Sequence, residues 1–246
     1  MIICLLLSLL GLAVWSTGAS PLEVNESIIG GWDCKPKEAQ YQVFVTNGST
    51  LCGGSLLSSK WVLTAAHCDS PGLKVYIGIH DRSVIHHKNV QPFHIKRKIN
   101  PGFNQNTTIF DIMLIELRNN VPKPQTVKLP TNCSRDLKAL VNATLLVAGW
   151  GSVVARKVPH YPTKLQCVKN RKSSCPNGFD VTCDTFCAGQ GNKRAFSGDS
   201  GGGLVLTKRN QVYGVVKAGW MVDDEYPSIF TSVCFHLTWI KRVTKL

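Results

Sequence analysis

The sequence predicts an all-β protein closed by one C-terminal helix. Three observations carry that prediction: apolar runs of strand length recur along the chain, turn residues separate them at close spacing, and a helical period appears only at the C-terminal end. The strand-like runs are Tyr41–Thr46, Trp61–Thr64, Lys74–Ile79, Ile112–Leu117, Leu145–Ala148 and Gln211–Val216. Between them stand Asn47-Gly48, Pro71-Gly72, Asn100-Pro101-Gly102, Asn177-Gly178 and Arg209-Asn210, residue types that tolerate the tight or left-handed backbone of a turn. In the helix, Leu237, Ile240 and Val243 share one face, leaving Lys241, Arg242 and Lys245 for solvent and the negative end of the helix dipole. No repeat, linker or low-complexity tract interrupts the chain beyond residue 27, so it reads as one compact unit, a barrel or a sandwich. At 246 residues, 43% apolar and 17% charged, it can bury a sizeable core, and a disordered chain is excluded.

The N-terminus follows a different pattern. Ile2–Val14 is a short apolar run, followed by the small residues Thr17-Gly18-Ala19, which together read as a secretory signal over residues 1–19. No later stretch approaches the length of a membrane span. Five Asn-x-Ser/Thr sequons, at Asn25, Asn47, Asn106, Asn132 and Asn142, point the same way, to a secreted, extracellular glycoprotein. Cys4 leaves with the signal, and nine cysteines remain for an oxidising compartment, where they should mostly pair. An odd count leaves one thiol free or available for an intermolecular bond, and no C-x-x-C pair supports a zinc site instead. The formal charge is +13; residues 1–27 hold Glu23 and Glu26 and no Lys or Arg, so without them it is +15. Such a balance suits anionic partners such as glycosaminoglycans, although the densest basic segments, His94–Lys98 and Lys169–Lys172, are short enough to be ordinary solvated faces.

Three stretches carry the parts of nucleophilic acyl transfer: a hydroxyl, a base, and a carboxylate that fixes the base's tautomer. Trp61-Val-Leu-Thr-Ala-Ala-His67-Cys68 offers a histidine on a short turn beside a cysteine. Asp111-Ile-Met-Leu-Ile-Glu-Leu117 sets a carboxylate at the head of an apolar strand. Gly198-Asp199-Ser200-Gly201-Gly202 sets a serine on a loop almost free of side-chain bulk, where the amides of Gly198 and Ser200 can point at one oxyanion. Each stretch alone is more often structural. Together, in the order His, Asp, Ser, they are specific.

On these motifs the chain resembles the trypsin/chymotrypsin-like serine proteases, and Trp32-Asp33-Cys34 looks closest to their trypsin and tissue-kallikrein branch. The resemblance runs from Ile28-Ile-Gly-Gly31 through Leu51-Cys-Gly-Gly54, the AAHC and DIML stretches and Gly149-Trp-Gly151 to GDSGG. It implies two perpendicular six-stranded antiparallel β-barrels with a C-terminal helix, and a site in the cleft between them. It makes residues 20–27 a short propeptide and 28–246 the protease domain. It casts His67 as general base, Asp111 as its orienting carboxylate, Ser200 as nucleophile, and the Gly198 and Ser200 amides as oxyanion hole. It pairs Cys34–Cys167, Cys52–Cys68, Cys133–Cys234 and Cys175–Cys187, leaving Cys183 single and able to form an intermolecular bond in an otherwise monomeric protein. Two family bridges are missing as whole pairs, at Thr144 and Leu206 and at Phe196 and the Trp220–Glu225 loop. Polypeptide substrates, protease inhibitors and anionic glycosaminoglycans are the partners it suggests. No cofactor is implied, and no metal: His80, His86 and His87 occupy the loop where trypsins hold calcium with carboxylates.

The departures from the family lie around the substrate. Activation in the family frees an amine on Ile28 that pairs with Asp199, yet Ser27 precedes it instead of Lys or Arg. Arg194 occupies the pocket base where trypsins carry aspartate, Ser228 replaces a wall glycine, and Lys217-Ala218-Gly219 replaces Ser-Trp-Gly, which sets a cation near Asp111. Three pockets fit these changes. One is basic and prefers acidic or small residues, one is plugged by Arg194 against Asp223, Asp224 or Glu225, and one belongs to a catalytically silent cationic binding protein. Cleavage after Lys or Arg fits least. Gly203, where the family has proline, is expected only to loosen its loop.

Overall fold

The computed structural model describes residues 30–134, 140, 142–154, 158–176, 181–189, 193–218 and 226–246. The signal and propeptide segments, Ile28, Asn25, the Asn177-Gly178 turn, Gly219 and Trp220–Glu225 lie outside the described residues.

After the short strand β1 (Trp32–Asp33), the chain builds one sheet from β2 (Gln42–Thr46), β3 (Leu51–Leu56), β4 (Trp61–Thr64), β5 (Lys74–Ile77), β6 (Ile95–Ile99) and β7 (Met113–Leu117). Their order is β5-β2-β3-β4-β7-β6, all antiparallel. A bridge between Val75 of β5 and Phe93, just ahead of β6, brings the two edges together, so the sheet curls into a closed barrel without exposed edges.

The second sheet holds β8 (Leu145–Gly149), β9 (Gln166–Asn170), β10 (Lys172–Ser173), β11 (Thr185–Ala188), β12 (Gly203–Leu206), β13 (Gln211–Ala218) and β14 (Ser228–Ser232), with β1 added at its edge. The order β1-β9-β8-β12-β13-β14-β11-β10 counts eight strands, where the resemblance implies six. The difference is one of bookkeeping along the chain. β9 and β10 are one strand interrupted at Arg171, closing the ring between β8 and β11, and β1 is a two-residue addition. Six strands form the second barrel.

Each of the six strand-like runs becomes a strand within two residues at either end. The turn residues behave as their chemistry requires: Gly48, Gly72 and Gly102 have φ of +103°, +72° and +104°, and Asn210 is left-handed at 49°. The helix spans Leu237–Thr244, with Ile240 fully buried and Lys241 and Arg242 in its last turn. Sequence patterning passes over β3 and β6. Gly53 and Gly54 weaken β3 as a strand signal, yet a Cβ at either position would fall 2.7 Å from Gln42 Nε2 or 2.9 Å from Val62 Cγ1, so close packing demands glycine there. In β6, Lys96, Arg97 and Lys98 are tethered by Glu116 and Asp69. The densest basic run is therefore a strand whose charges are largely paired.

The core of the first barrel continues into the second through Trp150, Val205, Val212, Val215 and Ile240, and a second cluster around Leu145, Val168, Tyr213 and Phe230 fills the other barrel. Trp150 is 1% exposed and stands edge-on to Phe44 at 5.3 Å. Disulfides join Cys34–Cys167, Cys52–Cys68, Cys133–Cys234 and Cys175–Cys187; Cys183 is a free, exposed thiol. Asn106, Asn132 and Asn142 are exposed and Asn47 half-exposed. Among the described residues, no helix is long and apolar enough to cross a membrane.

Candidate active site

Strand pairing brings the base and the carboxylate together. Thr64 at the end of β4 pairs with Met113 at the start of β7, and continuing that antiparallel register sets His67 opposite Phe110-Asp111. His67 sits in a 3-10 turn, Ala66–Cys68, held by the Cys52–Cys68 bridge to β3. Asp111 is buried and grips His67 twice: Oδ1 accepts the His67 backbone N–H at 2.9 Å, and Oδ2 lies 2.6 Å from Nδ1. A carboxylate only accepts, so the short contact assigns a proton to Nδ1 and leaves Nε2 outside the carboxylate's grip. The imidazole edge remains open, with the side chain 33% accessible. The sulfurs of Cys52 and Cys68 lie near the ring but are consumed in their disulfide, so these three residues are not a metal site.

The serine loop is fastened to both barrels by its backbone. Gly53 of β3 donates to the Ser200 carbonyl at 2.7 Å, and Gly201 donates to Val216 of β13 at 2.8 Å. Gly198 and Gly201 have φ of +95° and +81°, and a Cβ on Gly201 would lie 2.2 Å from Thr64 Oγ1. Only glycine fits that turn. Among the described residues, the amides of Gly198 and Ser200 have no internal acceptor, and Ser200 Oγ makes no hydrogen bond to His67. Such contacts are often long until substrate is bound.

Asp199 is fully buried, its carboxylate accepting the amides of Gly151 and Phe196, each at 2.9 Å. Burial pushes its carboxyl up to about 7 against the pull of those two amides. Glycines 149 and 151 make this possible, since a Cβ on either would penetrate the carboxylate. Its expected partner, Ile28, lies outside the described residues.

Among the expected pocket residues, Arg194, Lys217 and Ser228 are buried. Arg194 is 0% exposed with its guanidinium 5.5 Å from the Phe196 ring centre, and Ser228 is buried, its hydroxyl donating to the Ala195 carbonyl at 3.0 Å. That bond joins β14 to the segment ahead of the serine loop. The acidic residues weighed as partners for Arg194 and the wall residue Gly219 lie outside the described residues. Lys217 stands at a bulge in β13, buried, with no hydrogen bond from Nζ among the described residues. It makes no ion pair with Asp111, whose two oxygens are both taken by His67. Gly203 is not a loop residue: it begins β12, opposite Val215, and a Cβ there would lie 2.3 Å from Ser55 Oγ.

Sequence reasoning passes over several groups near the site. Thr231 Oγ1 donates to the Asp111 carbonyl at 2.9 Å, and a buried Asp184–His236 pair lies behind Phe110. A groove of about 550 Å³ opens beside Gly198, lined by Leu51, Arg82, His86, Tyr161 and Ser197. None of these follows a local motif; strand pairing brings them together.

Comparison with known proteins matches the geometry. The family described as Trypsin matches residues 28–240. A trypsin of Sus scrofa is 34% identical over 234 residues, covering 90% of this chain and 97% of the pig protein. A trypsin of Xenopus laevis and cationic trypsin-3 of Rattus norvegicus are each 34% identical, with 96% of both chains covered in either comparison.

Proposed function

The chain belongs to the trypsin family of serine proteases, and from that premise we propose that it is a secreted endopeptidase acting through His67, Asp111 and Ser200, with a specificity unlike trypsin's. The observation that carries the proposal is the double grip of Asp111 on His67, which engages the backbone N–H and Nδ1 and leaves Nε2 as the ring nitrogen available to Ser200.

On this reading His67 Nε2 takes the Ser200 hydroxyl proton as Oγ attacks the substrate carbonyl carbon. The oxygen gains the negative charge and is held by the free amides of Gly198 and Ser200, a donor pair in which each member is worth roughly 10²–10³ in rate. The imidazolium then returns its proton to the leaving amine, and water, deprotonated by the same Nε2, frees the acid and restores Ser200. Asp111 stays ionised throughout.

Cleavage of the Ser27–Ile28 bond is the proposed activation step. The family match beginning at residue 28 and the buried carboxylate of Asp199 support it. Serine at 27 calls for an activator that is not trypsin-like. The signal segment, four disulfides and exposed sequon asparagines support an extracellular, glycosylated product.

Arg194 supports the altered specificity. Arg194 stands where trypsins carry the aspartate that anchors substrate Lys and Arg, and a guanidinium, which does not lose its proton in a protein, cannot supply that anchor. A peptide-library cleavage profile on protein verified to start at Ile28 tests this. It should show small or acidic residues before the cut bond, and Arg194→Gly should raise relative cleavage after Lys or Arg by roughly 10²-fold. Trypsin-like cleavage by the wild type would refute the reading. Absence of cleavage, with salt-sensitive heparin binding that survives Ser200→Ala, would assign a cationic binding protein instead.

A further inference from the structure

Behind Asp111 lies a second buried histidine–carboxylate pair. Asp184, at the entry to β11, is 0% exposed, and His236, ahead of the C-terminal helix, is 4% exposed. His236 Nε2 lies 2.8 Å from Asp184 Oδ2, and a carboxylate only accepts, so Nε2 carries the proton. The same Oδ2 accepts the backbone N–H of Phe110 at 3.1 Å, while Oδ1 accepts Thr182 Oγ1 at 2.6 Å. His236 is boxed edge-on by Phe110, Phe235 and Trp239, with ring centres 5.6, 5.0 and 6.3 Å away. Burial raises the Asp184 carboxyl, but the hydrogen bonds from His236 and Thr182, the charge of His236 and the Phe110 amide outweigh it and hold it below the usual carboxylate range.

The residue held this way is in an unfavourable conformation. Phe110 has φ of 61°, a region that disfavours a bulky side chain and persists only where the surroundings enforce it. It directly precedes Asp111, and the Ile112 N–H donates to the Phe110 carbonyl at 2.7 Å, so the backbone turns tightly at Asp111. Thr231 fixes the Asp111 carbonyl from the other side. The orientation of the carboxylate that grips His67 is therefore set by two backbone anchors, and Asp184 supplies the one on which the left-handed residue depends.

We propose that Asp184, held in place by His236, is a positioning residue for Asp111: it locks the left-handed backbone of Phe110 and thereby aims the Asp111 carboxylate at the backbone N–H and at Nδ1 of His67. Its effect on turnover rests on the protease reading above; its effect on the His67–Asp111 geometry does not.

The test compares wild type, Asp184→Ala, Asp184→Asn and His236→Phe, each as the chain beginning at Ile28. Two quantities are read: the ¹⁵N shift of His67 Nδ1, which reports its hydrogen bond to Asp111 with or without turnover, and kcat and KM on a cleaved peptide. Asp184→Ala should move the Nδ1 shift and lower kcat by roughly 10²-fold with KM little changed, the scale of a misplaced catalytic group. Asp184→Asn keeps an oxygen for Phe110 and His236 and a donor for Thr182, and should restore both readouts. Should the alanine variant not fold, His236→Phe keeps the aromatic box, frees the carboxylate, and should move both readouts in the same direction. A lowered melting temperature with unchanged Nδ1 shift and unchanged kcat in the folded variants would reduce the pair to a structural role and overturn the proposal. An Nδ1 shift that moves in Asp184→Ala, with a wild-type protein that never turns over, would uphold it and refute the protease reading alone.

Discussion

The charge state of Asp199 gives the account a quantitative test in the uncleaved chain. Its carboxyl is pushed from 3.8 up to about 7 by burial, which outweighs the two amide donors that hold it among the described residues. A raised folded-state value means that between pH 4 and 7 the folded chain retains a proton the unfolded chain has released. Stability must then fall as pH rises through that window and level off above it. At about 1.4 kcal/mol per pH unit the loss amounts to roughly 4 kcal/mol, a large share of the 5–15 kcal/mol roughly typical of a domain. Asp199→Asn does not titrate. Its amide must oppose one of the two N–H donors, which shifts its stability by a constant and leaves the slope untouched. Urea unfolding followed by tryptophan fluorescence at pH 4 to 8 measures both proteins. The difference in unfolding free energy should move by about 4 kcal/mol in favour of the variant across the window. In the chain beginning at Ile28 an ammonium facing Asp199 should abolish that movement. A difference independent of pH in the uncleaved chain would refute the reasoning, because it would mean the carboxyl is not desolvated as its burial requires.

Two further outcomes follow from the same geometry. Asp111→Asn preserves shape but reverses the hydrogen-bond role opposite His67 Nδ1, so kcat on the best library peptide should fall on the order of 10⁴-fold with little change in melting temperature. Gly151→Ala puts a Cβ 2.4 Å from the Asp199 carboxyl carbon, and thermal unfolding should register a loss of roughly 1–3 kcal/mol together with weaker active-site labelling.

Much of this architecture is legible in the residues themselves because local chemistry and tertiary need coincide. Tyr41–Thr46 and Ile112–Leu117 are apolar because both faces of their strands are buried, and Gly48 and Gly102 are glycines because their φ is positive. The motif residues are equally readable: Gly149 and Gly151 make room for one carboxylate, and Gly201 makes room for Thr64. Where the two needs diverge, the sequence misleads. β3 is glycine-rich because it packs against Gln42 and Val62, β6 hides its strand period behind three consecutive exposed cations, and Gly203 looks like a loosened loop while starting a strand. Residues 110, 184 and 236 come together only through the pairing of β11 with β14 and the docking of the helix, which no local pattern encodes. Lys217, which the resemblance sets near Asp111, stands at a bulge in β13 and makes no ion pair with it.

The central claim is that Ser200, with His67 and Asp111 behind it, is a working nucleophile in this remodelled member of the trypsin family. Its most direct test is reaction of the chain beginning at Ile28 with a serine-directed fluorophosphonate, read by intact mass and by peptide mapping. The account predicts one adduct per molecule, located on Ser200 and absent from Ser200→Ala. A folded wild-type protein that forms no adduct would contradict it.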